Sequence, residues 1–230
     1  MMLGEFAGFM KGNGSMSEGV NSINADWHRR LAEIYGPSGY MAESAAYPGV
    51  KQRLDIWVQK LIENGVFPSP DKGRRVTIVS VAANSGYLEM RLKERLGENY
   101  LVVAGDIADV PREFGSRAVP ARFDAARLPF MQGSIDVLID LLGAAWHEAL
   151  ADEREGNGGF FFKQIIARYC LHLRPGGLLI IDSDRVRGPV LSTAARMEKI
   201  GHSEQLAGFK GPQKIGWDTF RVYTKKEITD

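Results

Sequence analysis

Val76-Thr77-Ile78-Val79-Ser80-Val81-Ala82-Ala83-Asn84-Ser85-Gly86 is the stretch that decides the architecture of this chain. It opens on a β-branched run with a single Ser, the composition of a strand covered on both faces of a parallel sheet. Small residues follow from Ala82 to Gly86, where a backbone can turn tightly or approach a ligand closely. A helical pattern then carries Leu88, Met90, Leu92 and Leu96 and closes at Gly97. Strand, small-residue turn and helix in that order open an α/β unit.

The same alternation continues downstream. Strands are expected at residues 101–104, 118–123, 135–142 and 178–181, the last entered through a turn at Arg174-Pro175-Gly176-Gly177. A polar loop is expected at 151–159, and helices at 160–173 and around 190–200. Two short strands at 205–209 and 219–224 read as a terminal hairpin. Upstream, Leu54, Trp57, Val58, Leu61 and Ile62 share one helical face, and Trp27, Leu31, Ile34 and Tyr35 repeat that spacing. The organisation expected is a disordered extension at 1–23, a helical N-terminal cap at 24–75 and an α/β core at 76–230, the cap and core forming one domain. The fold class is a doubly wound, seven-stranded, mostly parallel sheet with an antiparallel C-terminal hairpin.

Composition narrows the function. With 230 residues and a net charge of +1, the chain gives no chain-wide electrostatic case for nucleic acid or an anionic membrane. No stretch approaches the roughly 20 apolar residues that span a bilayer. The N-terminal segment lacks a basic start followed by an apolar run, so a cytoplasmic location is expected. One cysteine and four scattered histidines offer no metal-ligand spacing, and no metal is expected. Cys170 falls in an apolar helical pattern and reads as a packing residue.

In a sheet of this kind ligands bind outside the carboxyl ends of the strands, where the strand order reverses. The loop after the first strand, and Asp106 after the second, are therefore the first candidates. An acid some twenty residues beyond a small-residue loop is suited to accept the hydroxyls of a ribose. Alone, a small-residue loop is more often an ordinary tight turn, and an Asp after a strand is often a cap.

In order along the chain, four stretches carry a resemblance. They are Val79 to Leu88, then Val103-Ala104-Gly105-Asp106-Ile107-Ala108, then Phe123-Asp124-Ala125-Ala126-Arg127-Leu128-Pro129-Phe130 with Gly133-Ser134-Ile135-Asp136-Val137-Leu138, and Leu173-Arg174-Pro175-Gly176-Gly177 with the apolar run after it. Together the sequence resembles the class I S-adenosylmethionine-dependent methyltransferase family, in its small-molecule and quinone-type branch. The resemblance implies S-adenosylmethionine as cofactor, held by Ser80, Ala82, Asn84 and Gly86 of the first loop. It places Asp106 and Ile107 at the ribose, and Asp124 with Ala125 beside the adenine. Asp140 and Leu141 would lie near the methionine portion. The first loop departs from the family pattern, which has an acid at the position of Ser80 and glycines at those of Ala82, Asn84 and Gly86. Only Gly86 is kept.

Methyl transfer needs a general base only where the acceptor must lose a proton. His147, after the fourth strand, is the candidate, against the plainer reading of a capping or surface histidine. A small-molecule acceptor is the expected partner. The Asn/Asp-Pro-Pro-aromatic signature of base-amine methyltransferases is missing, and the fifth strand ends in Asp182 where ribose methyltransferases carry lysine. The competing reading, from the altered loop, is a non-catalytic binding or scaffold protein of the same fold. A nicotinamide oxidoreductase lacks its Gly-rich turn here. The sequence does not specify an oligomeric state.

Overall fold

The computed structural model describes residues 48–83, 85–106, 118–183, 192–199, 201, 205–216 and 219–227. The expected extension at 1–23, and the part of the expected cap before residue 48, lie outside these.

Helix α1 (Pro48–Glu63) leads to strand β1 (Val76–Ser80), followed by α2 (Tyr87–Leu96), β2 (Tyr100–Asp106) and β3 (Val119–Arg122). A single 3₁₀ turn (Ala125–Arg127) precedes β4 (Ile135–Asp140), α3 (Ala144–Glu155), α4 (Phe160–His172) and β5 (Leu173–Asp182). Helix α5 (Thr193–Lys199) and strands β6 (Phe209–Ile215) and β7 (Phe220–Lys225) complete the described elements. The strands form one seven-stranded sheet in the order β3-β2-β1-β4-β5-β7-β6. Pairings from β3 to β5 are parallel, whereas β7 runs antiparallel between β5 and β6. The expected fold class is the one observed.

All five residues of β1 are buried because both faces of the sheet are covered. Ile78, Val102, Val137, Ile139, Ile180 and Val222 face α1 and α2, meeting Trp57, Leu61, Leu88 and Leu92. Val79, Val103, Leu138, Leu179 and Ile181 face the other way, toward Phe162, Ile165 and Tyr169 of α4 and Met197 of α5. Adjacent residues of one strand thus serve opposite cores, as the period of two requires. Each fully buried large apolar side chain contributes about 1.5–3 kcal/mol. Helix α1 shares the core of the sheet, and Trp57 stands edge-on to Phe220 of β7.

Three elements differ from expectation, each for a physical reason. Residues 151–155 continue α3 instead of forming a loop. Their polar run is a helix end, and buried Asp152 accepts hydrogen bonds from the backbone N–H of Phe161 (3.1 Å) and Phe162 (2.8 Å), capping α4. Strand β5 begins at Leu173, so the expected turn at Arg174–Gly177 is a stretch of strand with a register shift against β4. Gly177 is required there, since a Cβ would stand 2.9 Å from the Arg174 carbonyl oxygen. The first hairpin strand lies at Phe209–Ile215, later than 205–209. Its Gly211-Pro212 sits at a bulge on an edge strand, where a missing N–H is tolerated.

Candidate functional site

The chain passes from β1 outward to β2 and β3, then crosses back to place β4 on the other side of β1. The reversal point is therefore between β1 and β4, and the carboxyl ends of β2, β1 and β4 lie side by side, about 5 Å apart. Ser80 ends β1, Asp106 ends β2 and Asp140 ends β4, so three of the expected residues stand at neighbouring strand ends. Ser80 pairs with Ala104, which carries Asp106 two residues farther out, level with the loop beyond β1. That loop is tied to β2 by the Ala83 N–H, which donates to the Gly105 carbonyl at 2.9 Å.

Ala82 has φ 55° and Leu142 has φ 53°, both left-handed and both just past the ends of the two central strands. For an L-residue this conformation costs about 1–2 kcal/mol. The loops bearing them close on each other at Gly143, where an added Cβ would stand 3.0 Å from the Ala82 Cβ and 2.5 Å from Asp140 Oδ1. Gly86 is also left-handed, at φ 72°, and caps the start of α2. Backbone strain concentrated at one crevice is a pointer to function. An Ala82→Gly variant should relieve the left-handed strain, offset in part by about 0.4–1 kcal/mol of added unfolded-chain entropy. Thermal unfolding should thus show an unchanged or higher midpoint; a fall of several degrees would contradict this.

Asp140 is fully buried and its carboxylate is already engaged. Oδ1 accepts the Gly143 N–H at 3.0 Å, and Oδ2 accepts the Ala145 N–H at 2.8 Å and the Tyr169 hydroxyl at 2.7 Å. Burial pushes this carboxyl up to about 6, with those donors pulling the other way. Its side chain holds the start of α3, and the half-buried Leu141 beside it packs toward the α1–α2 core. Asp182, absent from the expected set apart from its place at a strand end, acts in parallel. It accepts the Leu142 N–H at 2.8 Å and the Thr193 N–H at 2.9 Å, pinning the strained residue to α5.

Asp124 follows β3, and its Oδ1 accepts the Ala126 N–H at 2.8 Å, capping the 3₁₀ turn that contains buried Ala125. The Phe123 N–H donates to the Asp106 carbonyl at 2.8 Å, so the β2 and β3 ends are held together. Asn84 and Ile107 lie outside the described residues. His147 is buried in the first turn of α3, edge-on to Trp146 at 4.9 Å between ring centroids. Arg196 lies over that Trp146 ring at 4.3 Å. Burial, with the Arg196 charge, pushes His147 down to about 4, so the imidazole is neutral at pH 7 and a weak base. Among the described residues no group of three His, Cys, Asp or Glu could hold a metal ion. None of the described helices is long and apolar enough to cross a membrane.

One side chain went unnoticed in the sequence. Glu89, in the first turn of α2, is 1% exposed and receives a hydrogen bond from the Ser80 side chain, with Asp106 close enough to act on its charge. Its signal was a charged residue wedged between Leu88 and Leu92 on a helix whose neighbours face the core.

No protein-family model matches the chain, and no curated protein does. Solved structures do. The 1,6-didemethyltoxoflavin-N1-methyltransferase of Burkholderia thailandensis, solved with 1,6-didemethyltoxoflavin and S-adenosylhomocysteine, superposes with a TM-score of 0.52 at 14% identity, covering 94% of each chain. The CurJ carbon methyltransferase gives 0.53 at 14% identity, over 85% of this chain and 61% of that one. This chain has the class I methyltransferase fold. A protein of Pyrococcus horikoshii matches over its whole length and 82% of this chain, with a TM-score of 0.53 at 18% identity. Other matched structures are longer, and this chain spans about half their length. In the methyltransferase fold the crevice above β2, β1 and β4 is this chain's candidate ligand site.

Proposed function

We propose that the chain is an S-adenosylmethionine-dependent methyltransferase with a small-molecule acceptor. The observation that carries this reading is the convergence, at one strand-order reversal, of buried Asp106, the left-handed loop closed by Gly86 and the Asp124 turn. The residues suit the cofactor: Asp106 supplies a carboxylate for ribose hydroxyls, the α2 start presents backbone N–H groups, and Asp124 and Ala125 line the place of the base. When bound, S-adenosylmethionine supplies an electrophilic methyl group on sulfonium. The protein's part is to orient the acceptor for in-line attack and to exclude water. A neutral, weakly basic His147 suits an acceptor that needs no deprotonation, or an accepting role toward a donor group.

Titration calorimetry with S-adenosylhomocysteine tests the reading. Binding by the parent chain, weakened about 10–100-fold in Asp106→Ala, is expected, since hydrogen bonds to a charged group contribute about 1.5–3 kcal/mol. The second reading is a non-catalytic binding protein, supported by the Ala82 Cβ in a loop where close backbone approach is needed. Absence of binding at millimolar ligand would favour it.

A further inference from the structure

Glu89 poses a question that the cofactor-loop residues leave open. One of its carboxyl oxygens, Oε2, is enclosed and has no hydrogen-bond partner. An orphaned buried acceptor costs about 1–3 kcal/mol, more when charged. The residue stands on the first turn of α2, against the ends of β1 and β2. Ser80, Asp106 and the core residues Ile78 and Val102 fall on the same alternate positions of their strands, so the acids share the sheet face that α2 covers.

From β1 the polar group meeting Glu89 is the Ser80 hydroxyl, and from β2 the charged group is Asp106. From α1, Asp55 is taken up by the Tyr87 hydroxyl (3.0 Å) and Arg91 (2.8 Å), while Lys51 lies over the Tyr87 ring. No cation among the described residues acts on Glu89, although a second carboxylate stands beside it.

We infer that Glu89 is a ligand-binding residue of this crevice, receiving the ammonium group of the ligand's amino-acid portion on its unpartnered oxygen. The inference rests on the cofactor reading above. Two neighbouring carboxyl groups in low dielectric repel when both are ionised, and an incoming cation removes that conflict. A neutral diol would not. Burial pushes the Glu89 carboxyl up to about 7 in the ligand-free protein, with the Ser80 bond opposing. Ammonium binding therefore releases a proton at and below neutral pH, and affinity falls toward tenfold per pH unit below 7 while levelling off above it.

The experiment compares S-adenosylhomocysteine with 5′-methylthioadenosine, which keeps the nucleoside and lacks the amino-acid portion. Each is titrated into the parent chain and Glu89→Gln from pH 6 to 8, in two buffers of different ionisation heat. The expected result is proton release and pH-dependent affinity for S-adenosylhomocysteine alone. Glu89→Gln should abolish both and weaken that ligand about tenfold or more, with methylthioadenosine unchanged. Circular dichroism of the near-isosteric variant checks that it is folded. Binding without proton release, or equal loss of both ligands in the folded variant, overturns this inference and leaves the cofactor reading standing. No binding of either ligand by the parent chain overturns both.

Discussion

Replacing Arg74 and Arg174 together by alanine should destabilise the fold by about 3–5 kcal/mol, the range seen when a buried ion pair loses one side. Asp136, at the amino end of β4, is completely buried. Arg74 donates to both of its oxygens, at 3.1 and 2.7 Å, the Arg174 Nε lies 2.5 Å from Oδ1, and the Thr77 N–H donates to Oδ2 at 2.8 Å. The cluster ties the approach to β1, the start of β4 and the start of β5 to one carboxylate. The arginines are a third or more exposed and rehydrate easily, whereas Asp136 cannot. Removing both cations therefore costs more than the Asp136→Asn change, which leaves the Thr77 acceptor in place. Urea unfolding of the two variants against the parent measures the difference. A double variant within 1 kcal/mol of the parent would contradict this account.

Gly105→Ala carries the other large effect, and it reaches the crevice. A Cβ at Gly105 would stand 1.9 Å from Cζ of the Phe123 ring, which itself packs edge-on against Phe130 at 5.5 Å. The ring must leave, and with it the chain that carries Asp124. Overpacking costs about 1–3 kcal/mol and occasionally more, and three ring carbons of Phe123 lie within 3 Å of the added Cβ, so the ring itself must shift. The expected result is a thermal midpoint lowered by several degrees and, under the proposed cofactor reading, weaker binding of S-adenosylhomocysteine than by the parent chain. A variant with parental stability would show that Phe123 has room that the packing denies.

The legible part of this molecule was what depends on neighbours in sequence. The run Val76 to Val81 declares a doubly covered strand because every residue in it must be apolar or small. Asp106 reads as a strand end because the apolar run Leu101 to Ala104 stops just before it, and it does end β2. What could not be read depends on partners far along the chain. Asp136 looks like any polar residue opening a strand until Arg74 and Arg174 are brought to it from 62 positions before and from the next strand. Asp140 reads as a candidate contact for a ligand, but Tyr169 and the start of α3 take up its oxygens. Glu89 escaped notice because helical periodicity scores a carboxyl group as an exposed position. Nothing local distinguishes a charge facing water from one folded against Ser80.

The insertion of β7 between β5 and β6 has a consequence for the order of events during synthesis. Until Phe220–Lys225 has left the ribosome, β5 has no neighbour on that side, and β6 has none at all among the described strands. Leu178 to Ile181, an apolar open edge, then stands ready to pair with another nascent chain. The last described strand to be made is the one that seals the sheet. A stalled or prematurely terminated product would therefore be an aggregation hazard rather than a slightly shortened protein, and a natural client for a chaperone.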